Sequence, residues 1–297
     1  MARALAVWAS IAASLVVLGG CQGRADRGLR RGEAAASIRV EGSDTMVQLA
    51  QAWAEHYHAI QPSVSIQVLG GGSGVGIASL TDGNCDMANA SREIEPKEIA
   101  RIKANRGEEP VTHVVGHDAL AIFVHKDNPL DSISIEELAE IYGDGGKITR
   151  WSQLGVKLQG DDTIVRVSRQ NSSGTYAYFR EAVLGRNRDF KLGSIDLSGS
   201  KDVVSLVSRT PNAIGYSGMG YATPEVKMLK VSRKKGEPAV APTIENAKKG
   251  DYPITRALYI YTLGEAKGHV KQYLDWILSP EGQKIVVELG YVPRDES

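Results

Sequence analysis

The pattern of hydrophobic and polar residues alternates between two periods from residue 37 onward. Runs that alternate at every second position predict strands, and runs with apolar residues three or four positions apart predict helices. Strands are predicted at 37–41, 64–69, 86–89, 111–115, 119–124, 163–167, 213–216, 226–231 and 256–262. Helices are predicted at 46–57, 75–80, 97–105, 135–142, 175–184, 202–208, 270–278 and 282–289. This succession of strands and helices predicts an α/β protein with mostly parallel sheets and flanking helices.

The length of the chain indicates two lobes. Its 297 residues correspond to about two domains of roughly 150 residues each. No Pro-, Gly- or Ser-rich linker divides residues 37–297, so we expect lobes that are joined by strands rather than by a flexible segment. The strands at 119–124 and 256–262 are the expected crossovers. This assigns residues 37–118 plus 257–297 to the first lobe and residues 119–256 to the second.

The first residues have the pattern of a secretory leader. One arginine is followed by an apolar run from residue 4 to residue 18, which is typical of a signal peptide over 1–20. The segment Leu18-Gly19-Gly20-Cys21 resembles a bacterial lipobox, which implies a lipid on Cys21 and therefore a membrane anchor. The alternative is a plain signal peptide with an incidental cysteine. Residues 21–36 are polar, basic and rich in Gly and Ala, and we interpret them as a flexible tether.

Charge and motif content exclude several classes of function. Lys plus Arg and Asp plus Glu both number 35, and this zero net charge excludes a generally basic nucleic-acid-binding protein. The two cysteines, Cys21 and Cys85, are too few for a disulfide framework or a cysteine-based zinc site. The sequence contains no His-Glu-x-x-His, P-loop or Gly-x-Gly-x-x-Gly motif. We therefore predict that the protein uses no metal ion and no cofactor.

Three loops combine Ser, Thr and Gly immediately before a predicted helix. They are residues 42–45, 71–74 and 169–175. A helix N-terminus presents unpaired backbone N–H groups and a partial positive charge, and hydroxyl groups add further donors for an anion. Arg169 adds a guanidinium fork that suits a tetrahedral oxyanion. The pattern predicts a site for a small anion, and helix capping alone is the alternative for each loop.

Four motifs in this order resemble one known family. They are Val40-Glu-Gly-Ser-Asp-Thr-Met46, Gly71-Gly-Ser-Gly-Val75, Asp86-Met-Ala-Asn-Ala-Ser-Arg92 and Arg169-Gln-Asn-Ser-Ser-Gly-Thr-Tyr176. Together they resemble the PstS-like phosphate-binding proteins of bacterial phosphate ABC transporters. The resemblance extends from about residue 37 to residue 293. It is supported by Ile148-Thr-Arg-Trp151, Ile214-Gly-Tyr-Ser-Gly218 and Tyr273-Leu-Asp-Trp-Ile277.

The resemblance implies a two-lobed, class II periplasmic-binding-protein fold of the Venus-flytrap kind. A ligand in such a fold lies in the cleft between lobes that close on it by a hinge. By motif, the residues implied to bind phosphate from the first lobe are Ser43, Thr45, Ser73 and Ser91. Those implied to bind it from the second lobe are Arg169, Ser173, Gly174 and Thr175. Gly72, Gly74 and Ser172 belong to the same loops and form a further set of candidates.

One position departs from the family pattern. The usual Ala-Ser-Asp supplies a carboxylate that accepts the proton of phosphate, whereas this chain has Ala90-Ser91-Arg92. Because sulfate has no proton to donate at neutral pH, an unpaired acceptor rejects it. We expect Asp44 or Asp118 to be the acceptor. The alternative for Asp44 is a role as a helix cap, and the alternative for Asp118 is a role as a turn residue. Arg92 either adds a second cation to the site or points away and pairs with Glu93 or Glu95.

These features predict a monomeric, extracytoplasmic, lipid-anchored receptor that captures inorganic phosphate and delivers it to an ABC permease. No covalent chemistry is expected, so the protein is predicted not to be an enzyme. Two alternatives stay open. In the first, the protein is a receptor for another tetrahedral oxyanion, such as sulfate or molybdate. In the second, it is a phosphoester hydrolase that uses Ser73 or Ser173 as nucleophile. A hydrolase needs a base or a metal ion near the serine, and no motif supplies one.

Overall fold

The computed structural model describes residues 36–185 and 187–294. The predictions of a signal peptide over 1–20, a lipid on Cys21 and a tether up to residue 35 lie outside the described residues. Ala36, which the prediction assigned to the tether, is instead the first residue of a strand, because its backbone pairs with a neighbouring strand at Val64.

Strands and helices alternate along the chain as the sequence predicts. The strands are β1 (Ala36–Gly42), β2 (Val64–Leu69), β3 (Met87–Ala90), β4 (Pro110–His125), β5 (Ser132–Ser134), β6 (Val165–Arg169), β7 (Ile195–Leu197), β8 (Ala213–Gly218), β9 (Val226–Met228), β10 (Lys230–Ser232) and β11 (Thr255–Leu263). The α-helices are α1 (Val47–Ile60), α2 (Ser73–Asp82), α3 (Pro96–Arg106), α4 (Ile135–Tyr142), α5 (Gly174–Phe179), α6 (Ser200–Val207), α7 (Ile244–Lys248), α8 (Gly268–Leu278) and α9 (Pro280–Glu288).

One mixed sheet organises the fold. Its order is β2-β1-β3-β11-β4-β8-β6-β7, and β9 pairs with β4 off this path. The outer pairs β1–β2, β1–β3, β6–β7 and β6–β8 are parallel. In the middle, β11 runs antiparallel to β3 and β4, and β4 runs antiparallel to β8. The predicted α/β class is confirmed, with parallel pairing in the outer strands and antiparallel pairing at the centre.

The two central strands connect the predicted lobes. Strand β4 has 16 residues; its first part pairs with β11, and Leu120–Val124 pair with β8. Strand β11 lies between β3 and β4, and Arg256 stands directly opposite Asp118 in this pairing. The two crossovers predicted from the sequence are therefore neighbouring strands of one ladder. The exact lobe boundaries stay a prediction, and we keep the names first lobe and second lobe for the predicted ranges.

The sheet is covered by amphipathic helices, of which α1 is an example. Its buried residues Leu49, Trp53 and Tyr57 recur every four positions and so form one face. The indole Nε1 of Trp53 donates a hydrogen bond to the carbonyl oxygen of Gly282 at 2.8 Å, which links α1 to α9. Loss of a buried aromatic side chain of this kind typically costs about 3–5 kcal/mol. Among the described residues, no helix is long and apolar enough to cross a membrane.

Three predicted elements differ in form from the prediction, and three short elements, β5, β7 and α7, were not predicted. The segments predicted at 111–115 and 119–124 form one continuous strand, because β11 pairs with the polar residues between them across a register shift at Leu258/Tyr259. The helix predicted over 175–184 is α-helical only to Phe179 and continues as a π-helix over Arg180–Leu184. The strand predicted at 226–231 is two short strands, since β9 pairs with β4 and β10 pairs with β5.

Candidate functional site

The predicted anion loops meet at one edge of the sheet. Strands β2, β1 and β3 are adjacent and parallel, so the segments that follow them emerge on the same side. Ser43 follows β1, Ser73 begins α2 just beyond β2, and Ser91 follows β3. From the second lobe, β6 leads through residues 170–173 into α5. The topology therefore brings loops from four strands together.

Three serines of the first lobe form a buried cluster. The Oγ of Ser43 donates to the Oγ of Ser91 at 2.9 Å, and the Oγ atoms of Ser73 and Ser91 are 3.4 Å apart. The backbone N–H of Ser91 donates to Ser73 Oγ at 3.0 Å. All three residues are at most 2% exposed. We call Ser43, Ser73 and Ser91 the serine cluster; it presents rotatable hydroxyl donors in a region away from bulk water.

Gly174 and Thr175 of the second lobe complete this arrangement. Gly174 faces the serine cluster so closely that a Cβ on it would lie 2.6 Å from Ser91 Oγ and still nearer to Ser73 Oγ. The Oγ1 of Thr175 is 2.8 Å from the Oγ1 of Thr45, and both threonines are buried. Hydroxyl groups from both lobes therefore lie within hydrogen-bonding distance of one another.

Arg169 is almost fully buried and forms an ion pair with Asp44. Its Nη2 is 3.0 Å from Asp44 Oδ2, while Nε, Nη1 and Nη2 also donate to Leu197 O, Ser200 Oγ and Ser198 O. Burial lowers the pKa of the Arg169 guanidinium and Asp44 opposes that shift. Of the five N–H groups of arginine, these four hydrogen bonds leave one on Nη1. Arg169 is thus oriented by four hydrogen bonds within the protein, and its binding of a ligand stays a prediction.

Asp44 and Asp118 differ in how their oxygens are used. Asp44 accepts from Gly71 N–H through Oδ1 at 3.0 Å and from Arg169 through Oδ2. Asp118 is fully buried; its Oδ2 accepts from Nε and Nη2 of Arg256 at 3.2 and 2.8 Å, and its Oδ1 has no hydrogen-bond partner. Burial raises the pKa of the Asp118 carboxyl, although Arg256 and a backbone hydrogen bond from Met219 oppose this shift. Of the two predicted acceptors, Asp118 is the one with an oxygen that has no close hydrogen-bond partner.

The remaining candidates hold the loops together. The N–H of Gly74 donates to Ser172 O at 3.0 Å, and a Cβ on Gly72 would collide with that same carbonyl. Gly72 therefore allows the backbones of two loops to touch. Ser173 is the N-cap of α5, and its Oγ accepts from the N–H groups of Thr175 and Tyr176. Its hydroxyl is used for capping here, which was the alternative reading of this loop.

Arg92 does not join the hydroxyl groups. Its Nη1 and Nη2 donate to the two carboxylate oxygens of Glu98 at 2.8 and 2.7 Å. Its expected role as a second cation in the site stays a prediction. The expected pairing with a nearby acid is made with the carboxylate of Glu98 rather than that of Glu93 or Glu95, because Glu98 is the N3 residue of α3 and faces back toward its start. Nη1 also donates to the backbone carbonyl oxygen of Glu93 at 2.8 Å.

Sequence reasoning missed four residues around the site. Arg256 contacts Asp118, Thr45 and Thr175, and Ser200 accepts from Arg169. The hydroxyls of Tyr221 and Tyr291 donate to Thr45 O at 3.1 and 2.6 Å and so fix the first loop. The available signals in the sequence were a charge at the start of the predicted strand 256–262 and a second charge, Asp118, just before the predicted strand 119–124.

A cleft between the lobes adjoins the hydroxyl groups. It has a volume of about 920 Å³ and is lined from both lobes and from β11; among its lining residues are Arg92, Asn171, Tyr178, Arg256 and Tyr259. Arg256 belongs both to this cleft and to the cluster of hydroxyls. Neither Ser73 nor Ser173 is hydrogen-bonded to a histidine, lysine or carboxylate in residues 36–185 and 187–294. The same residues contain no group of three or more His, Cys, Asp or Glu that could hold a metal ion.

Comparison with known proteins gives a consistent set of relatives. Residues 30–281 match the family described as PBP superfamily domain. The phosphate-binding protein PstS of Pseudomonas aeruginosa is 36% identical over 263 residues, which cover 85% of this chain and 81% of that protein. PstS of Bacillus subtilis is 35% identical over 263 residues, which cover 88% of this chain and 82% of that protein.

A solved structure agrees with these relatives. A putative phosphate ABC transporter substrate-binding protein from Clostridium perfringens, solved with bound phosphate, superposes with a TM-score of 0.77. It is 31% identical, and the match covers 87% of this chain and all of that one.

Proposed function

The chain belongs to the PBP superfamily and, within it, to the PstS-like phosphate-binding proteins, and on this premise we propose that it captures inorganic phosphate and delivers it to an ABC permease. The related proteins are named for binding and transport, and accordingly we assign no covalent step to this chain. Delivery to a permease rests on the phosphate transport proteins among its structural relatives.

One observation supports the assignment most directly. The hydroxyl groups of Ser73 and Ser91 lie against Gly174, where no side chain fits, and Ser43 is hydrogen-bonded to Ser91 behind them; the contact with Gly174 joins the two lobes. In this proposal, phosphate oxygens replace the hydroxyl-to-hydroxyl bonds. A hydrogen bond to a charged acceptor is about twice as strong as one between neutral groups, so the exchange favours the anion. Arg169 contributes its remaining N–H and its charge.

Selection between phosphate and sulfate is assigned to Asp118. Both oxygens of Asp44 have partners, whereas Asp118 Oδ1 is buried without one. A buried unpaired acceptor costs about 1–3 kcal/mol, which a protonated phosphate relieves and sulfate does not. Asp118→Asn should therefore reduce the preference for phosphate over sulfate, and Asp44→Asn should change this preference less. Equal preference ratios in the wild type and Asp118→Asn would reject Asp118 as the acceptor.

We propose further that the protein is a monomer outside the cytoplasm, held to the membrane by a lipid on Cys21. The segment Leu18-Gly19-Gly20-Cys21 supports the anchor. Cys21→Ser should move the full-length protein from the membrane fraction to the soluble fraction, and Cys85→Ser is the matched control. A Cys21→Ser protein that stays in the membrane fraction would reject the anchor. Size-exclusion chromatography with light scattering tests the monomeric state.

The decisive experiment is a calorimetric titration of a chain that begins at Ala34, two residues before the first described strand, β1. The protein is first unfolded and dialysed to remove any anion carried over from expression, and is then refolded. Phosphate is titrated first, then sulfate and molybdate. Phosphate binding with little or no sulfate heat supports the proposal. Binding of another oxyanion in preference would redefine the ligand, and no binding of any anion would reject the function.

A further inference from the structure

Arg256 lies on one of the two strands that connect the lobes. It is paired with Asp118 across the β4–β11 ladder, the part of the sheet that connects the two lobes. The ion pair between them is 2.8 Å long, and the two side chains are 2% and 0% exposed. A charged pair of this kind is costly to bury unless its hydrogen bonds are well satisfied. Both Nε and Nη2 of Arg256 are directed to Asp118 Oδ2.

From this position Arg256 contacts hydroxyl-bearing residues of both lobes. Its Nη2 also donates to Thr45 Oγ1 at 3.1 Å and to Thr175 Oγ1 at 3.0 Å; because Nη2 carries two N–H groups and Asp118 Oδ2 is a third acceptor, one N–H is shared between two acceptors. Its Nη1 donates to the carbonyl oxygen of Ser91 at 3.1 Å, within the serine cluster. One N–H of Nη1 is left over from these contacts. Arg169 differs from Arg256 in this respect, because in the described part of the chain its hydrogen bond to the first lobe is the one to Asp44.

We propose that Arg256 is the fixed donor on which the hydroxyl loops of both lobes close, and that it sets how tightly the protein binds phosphate and how far it closes. Opening the lobes separates Thr45 from Thr175, whereas the pairing of Arg256 with Asp118 belongs to the connecting strands. The guanidinium therefore stays in place while its threonine partners arrive or leave. Asp118 Oδ2 is the positioning group for Arg256, and the geometry gives Arg256 a role that no motif predicts.

This inference rests on the proposed function, and the competing explanation is a purely structural ion pair. If the ion pair between Arg256 and Asp118 is purely structural, its loss should lower the stability of the fold without changing closure of the lobes on phosphate. The test therefore needs two readouts besides thermal unfolding. One is phosphate affinity by calorimetry, and the other is the decrease in radius of gyration on phosphate addition, measured by small-angle X-ray scattering.

The variant is Arg256→Lys, which keeps the charge but has three N–H groups for the four acceptors of Arg256, namely Asp118 Oδ2, Ser91 O, Thr45 Oγ1 and Thr175 Oγ1. We expect phosphate affinity to fall by about tenfold to a hundredfold, as for the loss of one charged hydrogen bond of about 1.5–3 kcal/mol. The phosphate-dependent decrease in radius of gyration should shrink. Arg188→Lys is the matched control, since Arg188 pairs with Glu140 elsewhere in the second lobe. Arg256→Gln is the second variant if Arg256→Lys does not fold.

The outcomes distinguish failure of the proposed function from failure of the role inferred for Arg256. A wild-type protein that binds no phosphate overturns the proposed function and this inference with it. A wild-type protein that binds and closes, together with an Arg256 variant that binds and closes equally well, overturns the inference alone. A variant that loses affinity and closure while Arg188→Lys retains both supports it. Loss of stability with unchanged affinity and closure assigns the pair a structural role and also overturns the inference.

Discussion

The substitution Gly174→Ala tests the site through a single methyl group. The added Cβ would lie 2.6 Å from Ser91 Oγ and nearer still to Ser73 Oγ, well inside the roughly 3.5–4.0 Å at which non-bonded heavy atoms attract. Both hydroxyls would have to turn away from the ligand. Each hydrogen bond to a charged group contributes about 1.5–3 kcal/mol, so two lost bonds amount to about 3–6 kcal/mol. This corresponds to a weakening of phosphate binding by about 10²- to 10⁴-fold.

Calorimetric titration measures this loss, and thermal unfolding shows that the fold is retained. Gly174 is the first residue of α5, and alanine has a higher helix propensity than glycine. Gly74→Ala is the comparison variant, because the nearest atom to a Cβ there is Ser172 O at 3.4 Å, an ordinary contact. It should weaken binding by less than about tenfold, or 1.4 kcal/mol. A folded Gly174→Ala protein with wild-type affinity would refute the position of the site.

Three further predictions concern charge and reactivity. Calorimetry should show that Arg169→Lys weakens phosphate binding by more than about tenfold, because an ammonium cannot keep the four hydrogen bonds of the guanidinium. Unchanged affinity would contradict the role of Arg169. Burial favours a raised pKa of Glu98, but hydrogen bonds from Arg92 and the Glu95 N–H outweigh it and lower the pKa, so Glu98 stabilises the fold above its ordinary pKa. Urea unfolding should show that Glu98→Gln lowers the free energy of unfolding by about 1–2 kcal/mol at neutral pH. This difference from the wild type should vanish as the pH falls through the folded-state pKa of Glu98. A difference that does not change with pH would argue against the ion pair between Arg92 and Glu98. Burial raises the pKa of the Cys85 thiol to about 11, so a thiol reagent at mildly alkaline pH should label it only after unfolding, and rapid labelling of the native chain would show that it is accessible.

The loops that carry hydroxyl groups could be predicted from the sequence because their chemistry is local. Ser43, Ser73 and Thr175 lie next to helix starts, and the positions of strands and helices can be read from hydrophobic periodicity. Parallel strands then bring their carboxyl ends to one edge of the sheet. This reasoning required no knowledge of distant contacts.

The role of Arg256 could not be predicted in the same way. Its neighbour Asp118 is 138 positions away in the sequence, and their contact depends on β11 being placed between β3 and β4. Local patterning does not determine this order of strands. Arg92 shows the same limit at shorter range, because its direction depends on where Glu98 faces within the first turn of α3. Side-chain direction therefore follows from pairing and packing, which residue type alone does not specify.

The central placement of β11 also has a consequence for biosynthesis. A ribosome delivers the chain from its N-terminus, yet the sheet of the first lobe lacks an inner strand until residues 255–263 have been made. Before then, β3 and the first part of β4 have unpaired backbone edges, and nearly nine-tenths of the polypeptide has already emerged. The native state of the first lobe is thus a late product of synthesis. Until then the incomplete chain has open strand edges, and open edges of this kind favour pairing with other chains.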